Sequence, residues 1–250
     1  MALSGNRQLI GVALNAIEAF ERRTAPDAFV AGTGASVMEA IGRDPEALRQ
    51  YLDSWRDRLD PSQAWTLEQD YLRDAGQTEQ LASYLVAAKT EFLGDSPRFP
   101  AGLLMPVAGV RGYGRLLQGA TKAPEEARQV SAAAAWISRL PSREWNVALL
   151  EAHAALFSGD EQRAVHHARR AAILMPVDRD AILGPAVLGL AANILAWAGQ
   201  GDEAVQLLRR ANAVPNNVPA WAMVRDPLLA VPLTGDPAFE ALKSEFDPPS

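Results

Sequence analysis

Apolar positions along the chain recur at steps of three, four and seven, the period of a helix that buries one face. Behind Asp44-Pro45, residues Ala47, Leu48, Tyr51, Leu52, Trp55 and Leu59 fall on one side of a single helix. Asp60 then stands as an N-cap with Pro61 in the first helical position, opening a helix to about Asp74. Ala75-Gly76-Gln77 turns the chain, and Thr78 to Leu93 reads as the return helix. The stretch Pro100 to Gln118 is the least regular, because Gly102, Pro106, Gly109, Gly112 and Gly114 interrupt it. A helix from Pro124 to Leu140 follows, with Val130, Ala133, Ala134 and Ile137 inward.

The C-terminal half repeats itself. Gly159-Asp160-Glu161 opens a helix that ends on Arg169-Arg170-Ala171, and Gly201-Asp202-Glu203 opens one that ends on Arg209-Arg210-Ala211. Ala164 and Ala204 are forty residues apart, as are Ala171 and Ala211. Acidic residues in the first turn and arginines in the last both complement the helix dipole. Met175-Pro176 and Val214-Pro215 close the two helices, since Pro cannot continue one. Each is preceded by another helix, Trp145 to Phe157 with Ser142 as N-cap, and Pro185 to Ala198. The unit is therefore helix, Gly-containing turn, helix, Pro.

This unit resembles the tetratricopeptide repeat. The family's small-residue positions are matched by Ala152, Gly159, Ala164 and Ala171, and again by Ala192, Gly199, Ala204 and Ala211. Two features depart from it: the family's usual period is about 34, and its large aromatic positions are mostly Ala or Leu here. Ala47, Leu81, Ala127, Ala164 and Ala204 mark one place in five return helices, with spacings of 34, 46, 37 and 40. The tail, with Asp226-Pro227 and Asp236-Pro237 starts ten residues apart, is similar to the C-terminal end of tetratricopeptide-like sensor regions in bacterial regulators. The resemblance implies an all-α, α-α superhelix of about five helix pairs in one domain over residues 1–250. Residues 1–43 are its N-terminal helical cap, 44–224 the repeat pairs, and 225–250 the C-terminal capping segment.

Composition agrees with helices. Hydrophobic residues make up 48% of the chain and aromatics only 7%, and alanine, the best helix former, is abundant. The net charge of −6 is spread evenly, and lysine occurs only at Lys89, Lys122 and Lys243. Without a concentrated supply of cations to displace counterions, nucleic acid is not an expected partner. The absence of cysteine excludes disulfides and thiolate chemistry. No residue from Ala181 to Gly201 is charged, a length that suits a membrane span. Its glycines, Pro185 and Asn193 favour instead a helix buried among other helices, so no membrane span is expected. The N-terminus has no signal-peptide pattern, so a cytoplasmic location is the default, an extracytoplasmic one following if the chain is part of a membrane-anchored regulator.

No catalytic, cofactor or metal site is expected. His166 and His167 are adjacent and point about 100° apart on a helix, which suits surface positions better than a shared metal. Glu125-Glu126 sits at a helix start, where the dipole stabilises it, and Asp178 and Asp180 lie in a loop. Gly32-Thr33-Gly34 and Gly112-Tyr113-Gly114 lack the residues of a phosphate loop and read as bends or close helix contacts. Trp65 and Trp145 read as packing aromatics.

In the family that the chain resembles, the first helix of each pair lines a concave groove. Carried over, that register puts Asp70, His153 and Asn193 at one recurring position, Gln63 and Asn146 at a second and Arg73 at a third. The resemblance thus implies a groove for a protein or peptide partner at these six residues. The basic residues of a carboxylate clamp are absent there. The expected function is a non-catalytic scaffold or sensory module, with a small-ligand sensor as the alternative.

Overall fold

The computed structural model describes residues 45–89, 91–93, 98–100, 102–214, 218 and 220–246, with Ala19, Ala31 and Gly34 besides. The expected N-terminal cap over residues 1–43, the Asp44 cap and Pro215 lie outside the described residues. Of the first of the expected five pairs, the described residues hold only the return helix, Pro45–Arg56. Among the described residues there are twelve helices and no strand, only an isolated bridge between Phe92 and Pro106. The helices are α1 (Pro45–Arg56), α2 (Pro61–Asp74), α3 (Thr78–Val86), α4 (Val107–Leu117), α5 (Pro124–Ile137) and α6 (Glu144–Ser158). They continue with α7 (Glu161–Leu174), α8 (Leu183–Trp197), α9 (Gly201–Asn212), α10 (Ala220–Arg225), α11 (Pro227–Ala230) and α12 (Pro237–Phe246).

Helices α2 to α9 form four consecutive pairs joined by one kind of turn. After α2, α4, α6 and α8 a glycine takes up a left-handed backbone: Gly76 (φ 65°), Gly119 (φ 87°), Gly159 (φ 83°) and Gly199 (φ 73°). Side chains with a Cβ are disfavoured there. The next residue's N–H then reaches back to a helix carbonyl, Gln77 to Leu72, Ala120 to Arg115, Asp160 to Ala155 and Gln200 to Leu195, at 2.8–3.0 Å. This 6→1 bond is the Schellman closure of a helix end. Five residues past the glycine stand Leu81, Ala164 and Ala204, whereas Ala127 lies eight past Gly119; all four are buried. Three extra residues in the α4–α5 turn therefore account for the spacing of 37, and for part of the spacing of 46.

From α1 to α9 each helix packs on the next, and among the first members α4 also touches α6 and α6 touches α8. They form an inner row, with α5, α7 and α9 outside it. Helix α8 carries the uncharged run and is enclosed by α6, α7, α9 and α11, so it is apolar on nearly all sides, as an enveloped helix is. No helix among the described residues is long and apolar enough to cross a membrane. The C-terminal elements bridge the ends: α11 packs on α8, α12 on α9, and α10 on both α12 and α2. One core cluster runs from Leu72 to Leu242, and a smaller one joins Ala31, Leu52, Trp55, Leu59 and Leu67.

Most expected helix starts hold. Asp60 accepts from the N–H groups of Ser62 and Gln63, Asp236 from those of Ala238 and Phe239, and Asp180 caps α8 through Ile182 and Leu183. Three expectations are corrected. Ser142 does not cap α6; it sits in the left-handed region (φ 57°), and the helix opens at Glu144 without a side-chain cap. The return helix from Thr78 stops at Val86, because the following strand-like segment pairs elsewhere, with Leu93 donating to Met105 and Val107 to Glu91. The helix within 100–118 begins only at Val107, after Pro106. There Gly112 lies against the Phe157 ring and Gly114 against Leu85 and the Ala82 carbonyl, so the Gly-Tyr-Gly motif makes close helix contacts.

Candidate functional site

The six residues expected to line an inner groove sit on α2, α6 and α8. Gln63 is half-buried; Asp70, Arg73, Asn146, His153 and Asn193 are at most 6% exposed. Inside the protein Asp70, Arg73, Asn146 and His153 meet protein partners. Asn146 exchanges two hydrogen bonds with the backbone of Leu104, each 3.1 Å. His153 Nδ1 lies 2.8 Å from the Leu149 carbonyl, and its ring meets Tyr113 edge-on. Burial, opposed only in part by that backbone contact, lowers His153 to about 4, so the ring is neutral at pH 7.

Asp70 and Arg73 belong to a buried charge cluster that joins the two ends of the described chain. Arg73 donates to Asp226 Oδ2 through Nε (2.8 Å) and Nη2 (2.5 Å). Arg98 donates to the same oxygen (3.2 Å), to Asp74 and to the Ala222 carbonyl (3.3 Å), and lies 3.9 Å from Asp70. Asp226 Oδ1 also caps α11 through the Leu228 N–H, at 3.0 Å. Burial alone would raise the Asp226 carboxyl, but Arg73, Arg98 and these hydrogen bonds hold it below its ordinary value. Asp74, with Arg98 as its main counterion, is pushed up by burial. Two guanidiniums thus face three carboxylates, and each of these charged side chains has a partner within the cluster.

A cavity of about 30 Å³ adjoins the cluster, between Arg73, Asp226 and the α8 face of Pro185, Gly189 and Asn193. That is room for about one water. Arg73 Nη1 and Asn193 Oδ1, from two residues that line the cavity, are buried without a protein hydrogen-bond partner. Among the described residues no group of three or more His, Cys, Asp or Glu is placed to hold a metal ion.

The open feature of the molecule lies on the other side. Helices α5 and α7 both pack on α6, and between them runs a trough of about 620 Å³. Its α5 wall is Ala127, Ser131, Ala134, Ala135 and Ser138, and its α6 floor is Val147, Glu151, Ala154, Ala155 and Ser158. On both helices these fall at steps of three and four, one face each, and the small side chains leave the trough deep. A further hollow of about 220 Å³ continues it past Ser138, Val147 and Glu151 toward Arg143 and Arg170. His167 Nδ1 approaches Glu151 Oε2 at 3.1 Å. Burial lowers the His167 pKa although Glu151 opposes it.

Sequence reasoning missed Arg98, which lies between the expected helix to Leu93 and the irregular stretch from Pro100, and saw Asp226 only as a helix start. It also missed the trough, whose one signal is the small-residue stripe Ala127, Ser131, Ala134, Ala135 and Ser138 along α5. Comparison of the chain with protein-family models, curated proteins and solved structures finds no match.

Proposed function

We propose that the chain is a tetratricopeptide-like helical-repeat scaffold, without catalysis of its own, that holds a peptide segment of a partner protein in the trough between α5 and α7. The observation that carries this reading is the trough itself: about 620 Å³ of open space lined by side chains no larger than Val on most of its walls. The repeated helix–glycine–helix pairs support the solenoid, since such units bury their faces by stacking and leave long surface channels for partners. The inner polar residues support a role in holding the stack together, because they are consumed by bonds within it. The small-ligand alternative has less support, as the inner cavity of about 30 Å³ is far below the roughly 300 Å³ of a small-molecule site.

The chain contains no cysteine, so one introduced thiol is a unique handle. Ser131→Cys, on the exposed wall of α5, would be labelled with a benzophenone maleimide and irradiated in lysate. Ser244→Cys on α12 serves as the control. A protein cross-linked from position 131 and absent from the control supports the reading. Identical cross-linking from both positions, or none from 131, overturns it.

A further inference from the structure

The trough has arginines at both ends, with small side chains and Glu151 between them. Arg128 of α5 and Arg163 of α7 stand at one end, and Arg143 and Arg170 at the other. Arg128 pairs with Glu125 on its own helix and Arg143 donates to the Gly102 carbonyl. The side chains of Arg163 and Arg170 make no hydrogen bond or ion pair among the described residues. Glu144 borders the far hollow, and Glu151 on the floor already has His167 beside it. With Glu125 counted, four arginines stand against three glutamates, a small local excess of positive charge in a chain of net charge −6.

Resting on the reading above, we infer that the occupant is an extended acidic peptide, with carboxylates near both ends and small apolar residues between them. Pro124 to Ser138 covers about 20 Å at 1.5 Å per residue, the span of about six residues of extended chain. A helix about 10 Å across and equally long fills more than twice the trough's 620 Å³. The hydroxyl of Ser131 makes no hydrogen bond among the described residues, and it faces the middle of that path for the peptide backbone. The distribution of charge also favours a peptide over a nucleic acid. A nucleic acid carries a phosphate at every nucleotide and would lay one over Glu151, whereas a peptide lays its uncharged centre there.

The test is selection of random heptapeptides by phage display on the whole chain, followed by fluorescence anisotropy of the selected peptides. They are measured on the wild type, on Arg163→Glu/Arg170→Glu and on Ser131→Trp, each checked for fold by circular dichroism and melting. The expected result is enrichment of Asp and Glu toward both peptide ends. Binding should be at least about tenfold weaker to the double Glu variant, lost in Ser131→Trp, and weakened as salt screens the exposed charges. Neutral or basic peptides that still lose binding to Ser131→Trp would overturn the acidic inference while leaving the trough as the binding site. Peptides unaffected by Ser131→Trp, or no selected peptide at all, would overturn both. Displacement of the peptides by a ten-nucleotide oligothymidylate, bound more tightly than they are, would overturn the assignment to peptides.

Discussion

Replacing Asp226 by Asn should be among the most damaging single changes in the molecule, although the two side chains are nearly the same size. Asp226 is fully buried and takes three hydrogen bonds from Arg73 and Arg98. Arg98 keeps Asp74 and Asp70 as counterions, but Asp226 is the only ion-pair partner of Arg73 among the described residues. The substitution therefore strands a guanidinium that is 2% exposed. Breaking a buried pair in this way costs about 3–5 kcal/mol. Asn still caps the Leu228 N–H, so Asp226→Ala should cost roughly 1 kcal/mol more through the lost cap. The double variant Arg73→Met/Asp226→Asn removes the stranded charge and should recover most of the loss, giving a coupling of about 2–3 kcal/mol. Urea unfolding followed by circular dichroism at pH 7, with unchanged slope, measures all three. A loss below about 1 kcal/mol for Asp226→Asn, or a coupling near zero, would refute the claim that this pair clasps α10 and α11 to α2.

Three further outcomes can be checked with the same assay. His153 is neutral in the fold, with a pKa of about 4 against 6.5 when exposed, so the unfolded chain binds more protons between those values. Stability should therefore fall as pH drops from 6.5 to 4, by up to about 3 kcal/mol from this group, and be level above that window. His153→Phe keeps the ring contacts with Tyr113 and should flatten the slope; an unchanged slope would show that His153 is not its source. Asp226 acts lower down, its contribution being lost as pH falls below the ordinary 3.8 through its depressed folded value. Gly112→Ala and Gly189→Ala should differ in sign. A methyl at 112 enters the buried Phe157 ring, whereas one at 189 meets nothing within 4 Å. The first should lose about 1–2 kcal/mol to overpacking after the gain in helix propensity. The second should gain up to about 1 kcal/mol, and equal effects at the two sites would contradict the packing described.

The helices were legible because their boundaries are written in local chemistry. Asp-Pro starts, Gly turns and apolar steps of three and four act within a few residues, and they placed α2, α5, α7, α8 and α9 within three residues of their observed ends. The failures were local conflicts settled at a distance. Thr78–Leu93 reads as one helix, yet its last part exchanges hydrogen bonds with residues 105–107. The site was less legible for a related reason. A polar residue recurring on an inner helix signals a need for hydrogen-bond partners, and a buried partner meets that need as well as a ligand does. Arg73 finds its partner 153 residues away in Asp226, a separation at which no periodicity links them. Five of the six positions that the repeat register assigned to a partner groove are buried. Their polarity is spent on closing the stack, with Asn146 bonded to a loop backbone and Arg73 to the far end of the chain. That closure is what leaves the outer face, where three extra residues in one turn and a stripe of Ala and Ser shape α5, as the surface with room for another molecule.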